Sequence, residues 1–228
     1  MLDSGIEVLV FDVLGTMVDE PAGLRSAIRD AVPDADEASI SAMLSAWQAH
    51  VEHEQRRIAE GDRRFANTEI IDGEAAARVA DLAGVVDPVT VERLATATRR
   101  LEPWEDSVAG LTRIARELPV VGLSNASRTT LLRLNAHAGL RWHQVLSAED
   151  AGAYKPASEV YRMAIDAAGC RPDRVLMVAA HAWDLRGARA VGMRTAYVRR
   201  PVGDPPTGTD TFDGHFDSLA ALATAVLA

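Results

Sequence analysis

The chain has 228 residues with 48% hydrophobic content, enough for one large domain, or for a domain carrying a smaller inserted one, with a full core. A formal net charge of −9, an isoelectric point near 5.1 and no block of consecutive basic residues argue against nucleic acid or a membrane surface as partner and leave a small molecule. The single cysteine, Cys170, excludes an internal disulfide and is expected as a buried thiol; with no basic leader and no bilayer-length apolar run, the expected location is the cytoplasm.

In chain order, residues 8–11 form a short apolar run that predicts a first strand. A carboxylate, Asp12, stands directly at its end, followed by the turn-forming pair Gly15-Thr16. Residues 21–101 show no convincing strand, and helical periodicity, clearest over 39–58 and 73–83, predicts an inserted helical unit. Strands and helices then alternate: helix 107–118, strand 120–123, helix 128–138, strand 145–147, helix 159–168, strand 175–178, helix 185–191 and strand 195–198. The Pro/Gly-rich run 201–208 predicts a loop before a last short strand and a helix starting at Ser218. Alternation of this kind implies an α/β fold, a parallel sheet with helices on both faces. The expected division is a core domain of residues 1–18 and 102–228 and a helical cap of residues 19–101.

In such sheets ligands bind beyond the carboxyl ends of the strands, where the polar residues of this chain gather. Asp12 ends the first strand, Ser124-Asn125 ends the second, Glu149-Asp150 and Tyr154-Lys155-Pro156 follow the third, and His181-Ala182-Trp183-Asp184 follows the fourth. Taken singly, these residues have plainer readings. Asp12 and Asp184 could cap turns or helices, Ser124-Asn125 could cap the next helix, and Lys155 could be a solvated residue before proline.

Taken together, the motifs FDVLGT (11–16), LSNAS (123–127), YKP (154–156) and AAHAWDLRGA (179–188), each after a predicted strand, resemble those of the haloacid dehalogenase superfamily. The helical insertion after the first motif is similar to that family's cap. A magnesium-dependent phosphatase of the family has an aspartate two positions after the nucleophile and an acidic ligand in the fourth motif. Those positions are Leu14 and Ala180 here, which lack the oxygen ligands that Mg²⁺ takes. The remaining pattern, His181 to Asp184 with Lys155 and Tyr161, is similar to the type II branch, which hydrolyses 2-haloalkanoic acids of the (S) type without metal or other cofactor.

By this resemblance Asp12 attacks C2 of a halogenated carboxylic acid with inversion, and Asp184 activates the water that opens the resulting ester. Thr16 and Asn125 orient the carboxylates and Ser124 binds the substrate carboxylate. Leu14, Gln48, Tyr161, His181 and Trp183 are the candidate substrate-facing residues. Tyr161 is equally readable as core and His181 as a neighbour of the carboxylates, while Trp183 reads more readily as packing. Two carboxylates about 4 Å apart repel by roughly 4 kcal/mol at an effective dielectric of about 20, so the site needs a cation. Lys155, the one lysine among 24 basic side chains, is the expected countercharge. The family also places a halide-receiving arginine after an aromatic residue on the first long cap helix. With Trp47 as that aromatic, Gln48 stands in its place without a charge, unless Arg25, Arg56 or Arg57 enters the site instead. A phosphatase, and a relative that binds a small acid without dehalogenating it, are the alternative readings, and a homodimer stays open.

Overall fold

Five of the strands come from apolar runs too short for helices and rich in branched side chains. The computed structural model describes residues 5–228; residues 1–4, the start of the expected core domain, lie outside the described residues. The strands are β1 (Val8–Asp12), β2 (Val120–Ser124), β3 (Gln144–Ser147), β4 (Val175–Ala179), β5 (Arg194–Val198) and β6 (Gly214–Phe216). They form one sheet in the order β3-β2-β1-β4-β5-β6, with every neighbouring pair parallel. The chain leaves β1 toward β2 and β3, then returns to the other side of β1 for β4. That reversal opens a crevice beyond the carboxyl ends of β1 and β4.

Side chains alternate across the sheet, so β1 feeds two cores. Leu9 and Phe11 join Leu111 and Ile114 of helix α5 (Ser107–Ala115), Leu131 and Leu134 of α6 (Arg128–Ala138), and Leu219 and Leu222 of α9 (Leu219–Val226). Val8 and Val10 join Val160 and Tyr161 of α7 (Ser158–Ala168) and Leu185 of α8 (Ala182–Ala190) on the opposite face. Helices α1 (Glu20–Ala31), α2 (Glu37–Glu60), α3 (Thr68–Ala83) and α4 (Pro88–Ala95) share a third core, in which Ile28, Met43, Trp47, Val79 and Leu94 meet.

Apolar periodicity finds α2, α3 and α5 to α8, leaves α1 and α4 unlocated within the insertion, and misplaces several ends. The α2 helix starts at Glu37 because the Asp36 carboxylate accepts the Ser39 N–H at 2.8 Å, and α3 starts at Thr68 because Asn67 accepts from Ile70. The capping side chains, rather than the apolar pattern, set both starts. The α8 helix starts at Ala182 rather than residue 185 because Asp204, in the Pro/Gly-rich loop, accepts the N–H groups of Ala182 and Trp183. The α5 helix stops at Ala115, short of residue 118. Cys170, expected to be buried, is a half-buried free thiol packed against the edge of the second core. No helix among the described residues is long and apolar enough to cross a membrane.

Candidate active site

Asp12 occupies the last position of β1, beside the point where the sheet reverses. Its Oδ1 accepts a hydrogen bond from Lys155 Nζ at 2.6 Å, and the same ammonium donates to Asp184 Oδ2 at 2.5 Å and to the Leu123 carbonyl at 3.3 Å. The Lys155 side chain is 1% exposed, that of Asp12 6% and that of Asp184 0%, so one cation bridges two carboxylates out of water. Asp12 Oδ2 accepts from Thr16 Oγ1 at 2.6 Å, and that hydroxyl accepts in turn from the Ala180 N–H at 2.9 Å. Asp184 Oδ1 accepts from the Tyr161 hydroxyl at 2.7 Å. The start of α8 places Asp184 in a helical first turn, where the helix dipole favours negative charge.

Two glycines make this packing feasible. Gly15 has φ +76°, and a Cβ on it would lie 2.6 Å from Nε2 of His181, whose ring stands 3.9 Å from Asp12 Oδ2. A Cβ on Gly187 would lie 2.5 Å from the Tyr161 hydroxyl.

The electrostatics follow from burial opposed by pairing. Burial alone would lower the Lys155 ammonium, but Asp12 and Asp184 raise it above its ordinary value and keep it charged. Burial lifts the Asp184 carboxyl above the usual carboxylate range against the pull of Lys155, with the neighbouring Asp12 adding to the rise. Burial and the Asp184 charge push the Tyr161 phenol up, so it stays a proton donor.

A cavity of about 990 Å³ opens above Lys155, between the core and the helices α1 to α3, at the upper end of the range for small-molecule sites. Leu14, Gln48, Asn125, Lys155 and Trp183 line it, with Trp47. Asn125 faces no carboxylate: its Oδ1 accepts the Lys155 backbone N–H at 2.8 Å, fixing the lysine from behind. Ser124 is fully buried and its Oγ accepts the Ala126 N–H, so its hydroxyl does not line the cavity. Tyr161 lies beneath Asp184 and His181 beneath the turn after Asp12, and neither lines the cavity. Arg25 pairs with Glu37, and Arg57 with Glu54; neither lines the cavity. Arg56 does line it, exposed and paired with Glu52.

A family model for haloacid dehalogenase-like hydrolases matches residues 6–192. The chain belongs to that family. It is 31% identical over 200 residues to (S)-2-haloacid dehalogenase H-109 of Pseudomonas putida, covering 86% of each chain. The crystal structure of the defluorinating L-2-haloacid dehalogenase Rha0230 is similar with TM-score 0.88 and 30% identity, over 98% of this chain and 96% of that one. The L-2-haloacid dehalogenase of Xanthobacter autotrophicus with chloropropionic acid covalently bound is similar with TM-score 0.79 and 25% identity, over 97% of this chain and 98% of that one.

Two cavity-lining groups of this haloacid dehalogenase-like hydrolase escape a reading of motifs. Glu20 opens α1, and Asp72 on α3 accepts from Thr98 Oγ1 at 3.1 Å. The Glu20 carboxyl, deep among protein atoms yet partly open to the cavity, is pushed up to about 7 by burial and by Asp72 and Asp12, against His181. Burial pushes Asp72 up to about 7 as well, despite the Thr98 hydrogen bond and Arg99. A glutamate at a helix start reads in sequence as a dipole-favoured residue, so no signal marks Glu20.

Two stability predictions follow from these charges. Lys155→Met leaves two buried carboxylates without a countercharge and should cost about 3–5 kcal/mol by urea unfolding; adding Asp184→Asn should recover part of the loss, and strict additivity would contradict the shared-charge account. The folded Glu20 carboxyl holds its proton up to about pH 7, against 4.5 ordinarily, so the folded state binds more protons between those values and stability falls as pH rises through them. Glu20→Gln should therefore gain about 1–3 kcal/mol at pH 8 relative to pH 4, discounted for cavity solvent; a difference independent of pH would contradict the assignment.

Proposed function

We propose that the chain is a hydrolytic dehalogenase of the (S)-2-haloacid type, converting short 2-haloalkanoic acids to 2-hydroxy acids through an ester on Asp12 and without a metal ion. The observation that carries the reading is the Lys155 ammonium held between Asp12 and Asp184, 2.6 Å from one carboxylate and 2.5 Å from the other. Residues 19–101 serve in this reading as a cap over the core of residues 1–18 and 102–228.

In the first step an Asp12 oxygen attacks C2 from the side opposite the halogen. A C–O bond forms as the carbon–halogen bond breaks, the halide leaves with the bonding pair, and C2 inverts. Thr16 and Lys155 hold the carboxylate for this attack without using the substrate's own atoms. In the second step water attacks the Asp12 acyl carbon while Asp184 takes its proton. A carboxyl lifted by burial is a better proton acceptor, and the Tyr161 hydroxyl keeps it oriented. The adduct collapses as the bond between the acyl carbon and the C2 oxygen breaks, and the second water proton passes to that oxygen. The hydroxy acid thus departs with the C2 oxygen supplied by Asp12, Asp12 is left as a carboxylate carrying one water oxygen, and the proton on Asp184 passes to solvent. Relatives named (S)-2-haloacid dehalogenases, and a similar enzyme with chloropropionic acid covalently bound, support this route. Gln48 offers the leaving halide a hydrogen bond but no charge.

The magnesium employed by much of the superfamily does not fit the residues present. The Lys155 ammonium already stands between the carboxylates that would face such an ion, and Leu14 and Ala180 supply no side-chain oxygen. Halide release from 2-chloropropionate should accordingly persist in excess EDTA, with no phosphate released from phosphomonoesters. Asp12→Asn should abolish it, and Asp184→Asn should stop after one turnover with the acid's mass added to the Asp12 peptide. A strict requirement for added Mg²⁺ would overturn the reading.

A further inference from the structure

The turn after Asp12 is held from outside at three consecutive carbonyls. Trp104 Nε1 donates to Gly15 O at 3.0 Å, Arg200 Nε to Thr16 O at 2.8 Å and Ser107 Oγ to Met17 O at 2.7 Å. The central residue of this triplet, Thr16, is also the one whose hydroxyl grips Asp12 Oδ2 at 2.6 Å. Arg200 thus stands one residue away from the nucleophile. Its guanidinium lies over the Trp104 ring, 5.8 Å from the centroid, and its Nη1 donates to Asp106 Oδ1 at 2.7 Å. Asp106 Oδ2 accepts the Leu219 N–H at 2.7 Å, where α9 begins. The Arg200 side chain is 6% exposed, and its Nη2 is buried without a hydrogen-bond partner, a cost of about 1–3 kcal/mol that a neutral residue would avoid. Neither Arg200 nor Trp104 lines the substrate cavity.

We propose that Arg200, stacked on Trp104 and paired with Asp106, is a positioning residue: it holds the Thr16 carbonyl, and through Thr16 the Asp12 carboxylate, in the attacking orientation. The same three side chains tie the nucleophile's turn to residues 102–107, where the chain returns from the helical unit to the sheet. An arginine is required because two nitrogens of one rigid fork serve different partners while its plane stacks; a lysine ammonium cannot do all three. The effect on rate is large because attack needs a near-linear approach, which a small misplacement of the carboxylate spoils.

The rate readout rests on the dehalogenase reading. With the full chain and 2-chloropropionate, Arg200→Lys and Arg200→Ala should lower kcat about ten- to hundredfold and leave KM within about twofold. Methylguanidinium at millimolar concentration should restore part of kcat in Arg200→Ala, and methylammonium should not. In a Thr16→Val background the loss from Arg200→Ala should shrink, because the route to Asp12 is already broken. Asp106→Asn, a milder change, should give an intermediate loss if Arg200→Ala folds poorly. Unchanged kcat, a loss confined to KM, or full additivity with Thr16→Val would overturn the proposal. If the native enzyme releases no halide from any 2-haloacid, the dehalogenase reading falls; the proposal is then read from the carboxyl carbon NMR signal of Asp12, which should shift in Arg200→Lys while that of Asp184 stays, and an unmoved Asp12 signal would overturn it.

Discussion

One ammonium between two buried carboxylates is the constraint around which this protein is arranged. Asp12 and Asp184 accept from the same buried ammonium, and two carboxylates held that close in a protein interior cannot both stay ionised unless a cation shares them. Lys155 meets the need at 1% exposure, with three hydrogen bonds that use all of its protons. A compact point charge fits where a planar guanidinium would have to displace one of the acids. That gives a physical reason why the only lysine of an arginine-rich chain stands here.

The rest of the fold holds those three side chains on separate elements and keeps water from between them. Parallel strands put every carboxyl end on one side, and the reversal about β1 brings the turn after β1, the loop after β3 and the start of α8 to one place. Each charged group is then fixed from behind: Asp12 by Thr16, Lys155 by Asn125 through its backbone, Asp184 by Tyr161. The helices α1 to α3 close the space above and bring two further carboxyls, Glu20 and Asp72, into the cavity. The roof of the cavity is thus acid-lined, and its carboxyls gain charge as pH rises through about 7.

Strands were legible because buried parallel strands are written as apolar runs, and β1, β2 and β4 each extend only one residue past the run that marks them. The ends of α2, α3 and α8 were not, because polar side chains begin them, and for α8 the capping residue, Asp204, lies far along the chain. The site divides the same way. Asp12 announces itself at a strand end, while Lys155 and Asp184 follow β3 and β4 within short motifs, so all three stand out before any coordinates. Partnerships do not: Asn125 orienting a lysine rather than an acid, Ser124 turned to its own chain, and Tyr161 under Asp184 are products of packing. Arg200 is one of 24 basic residues, and only the fold brings it to the Thr16 carbonyl.

The central claim is that Asp12, held by Lys155 and Thr16, attacks substrate carbon itself while Asp184 works on water. The route of one oxygen atom decides it. In a single turnover with enzyme in excess over 2-chloropropionate in heavy-oxygen water, the hydroxy acid should carry no heavy oxygen at C2, and the label should appear in the peptide containing Asp12. Labelled hydroxy acid in that first turnover, together with an unlabelled Asp12 peptide, would mean that water attacks the substrate directly and that Asp12 acts as a base.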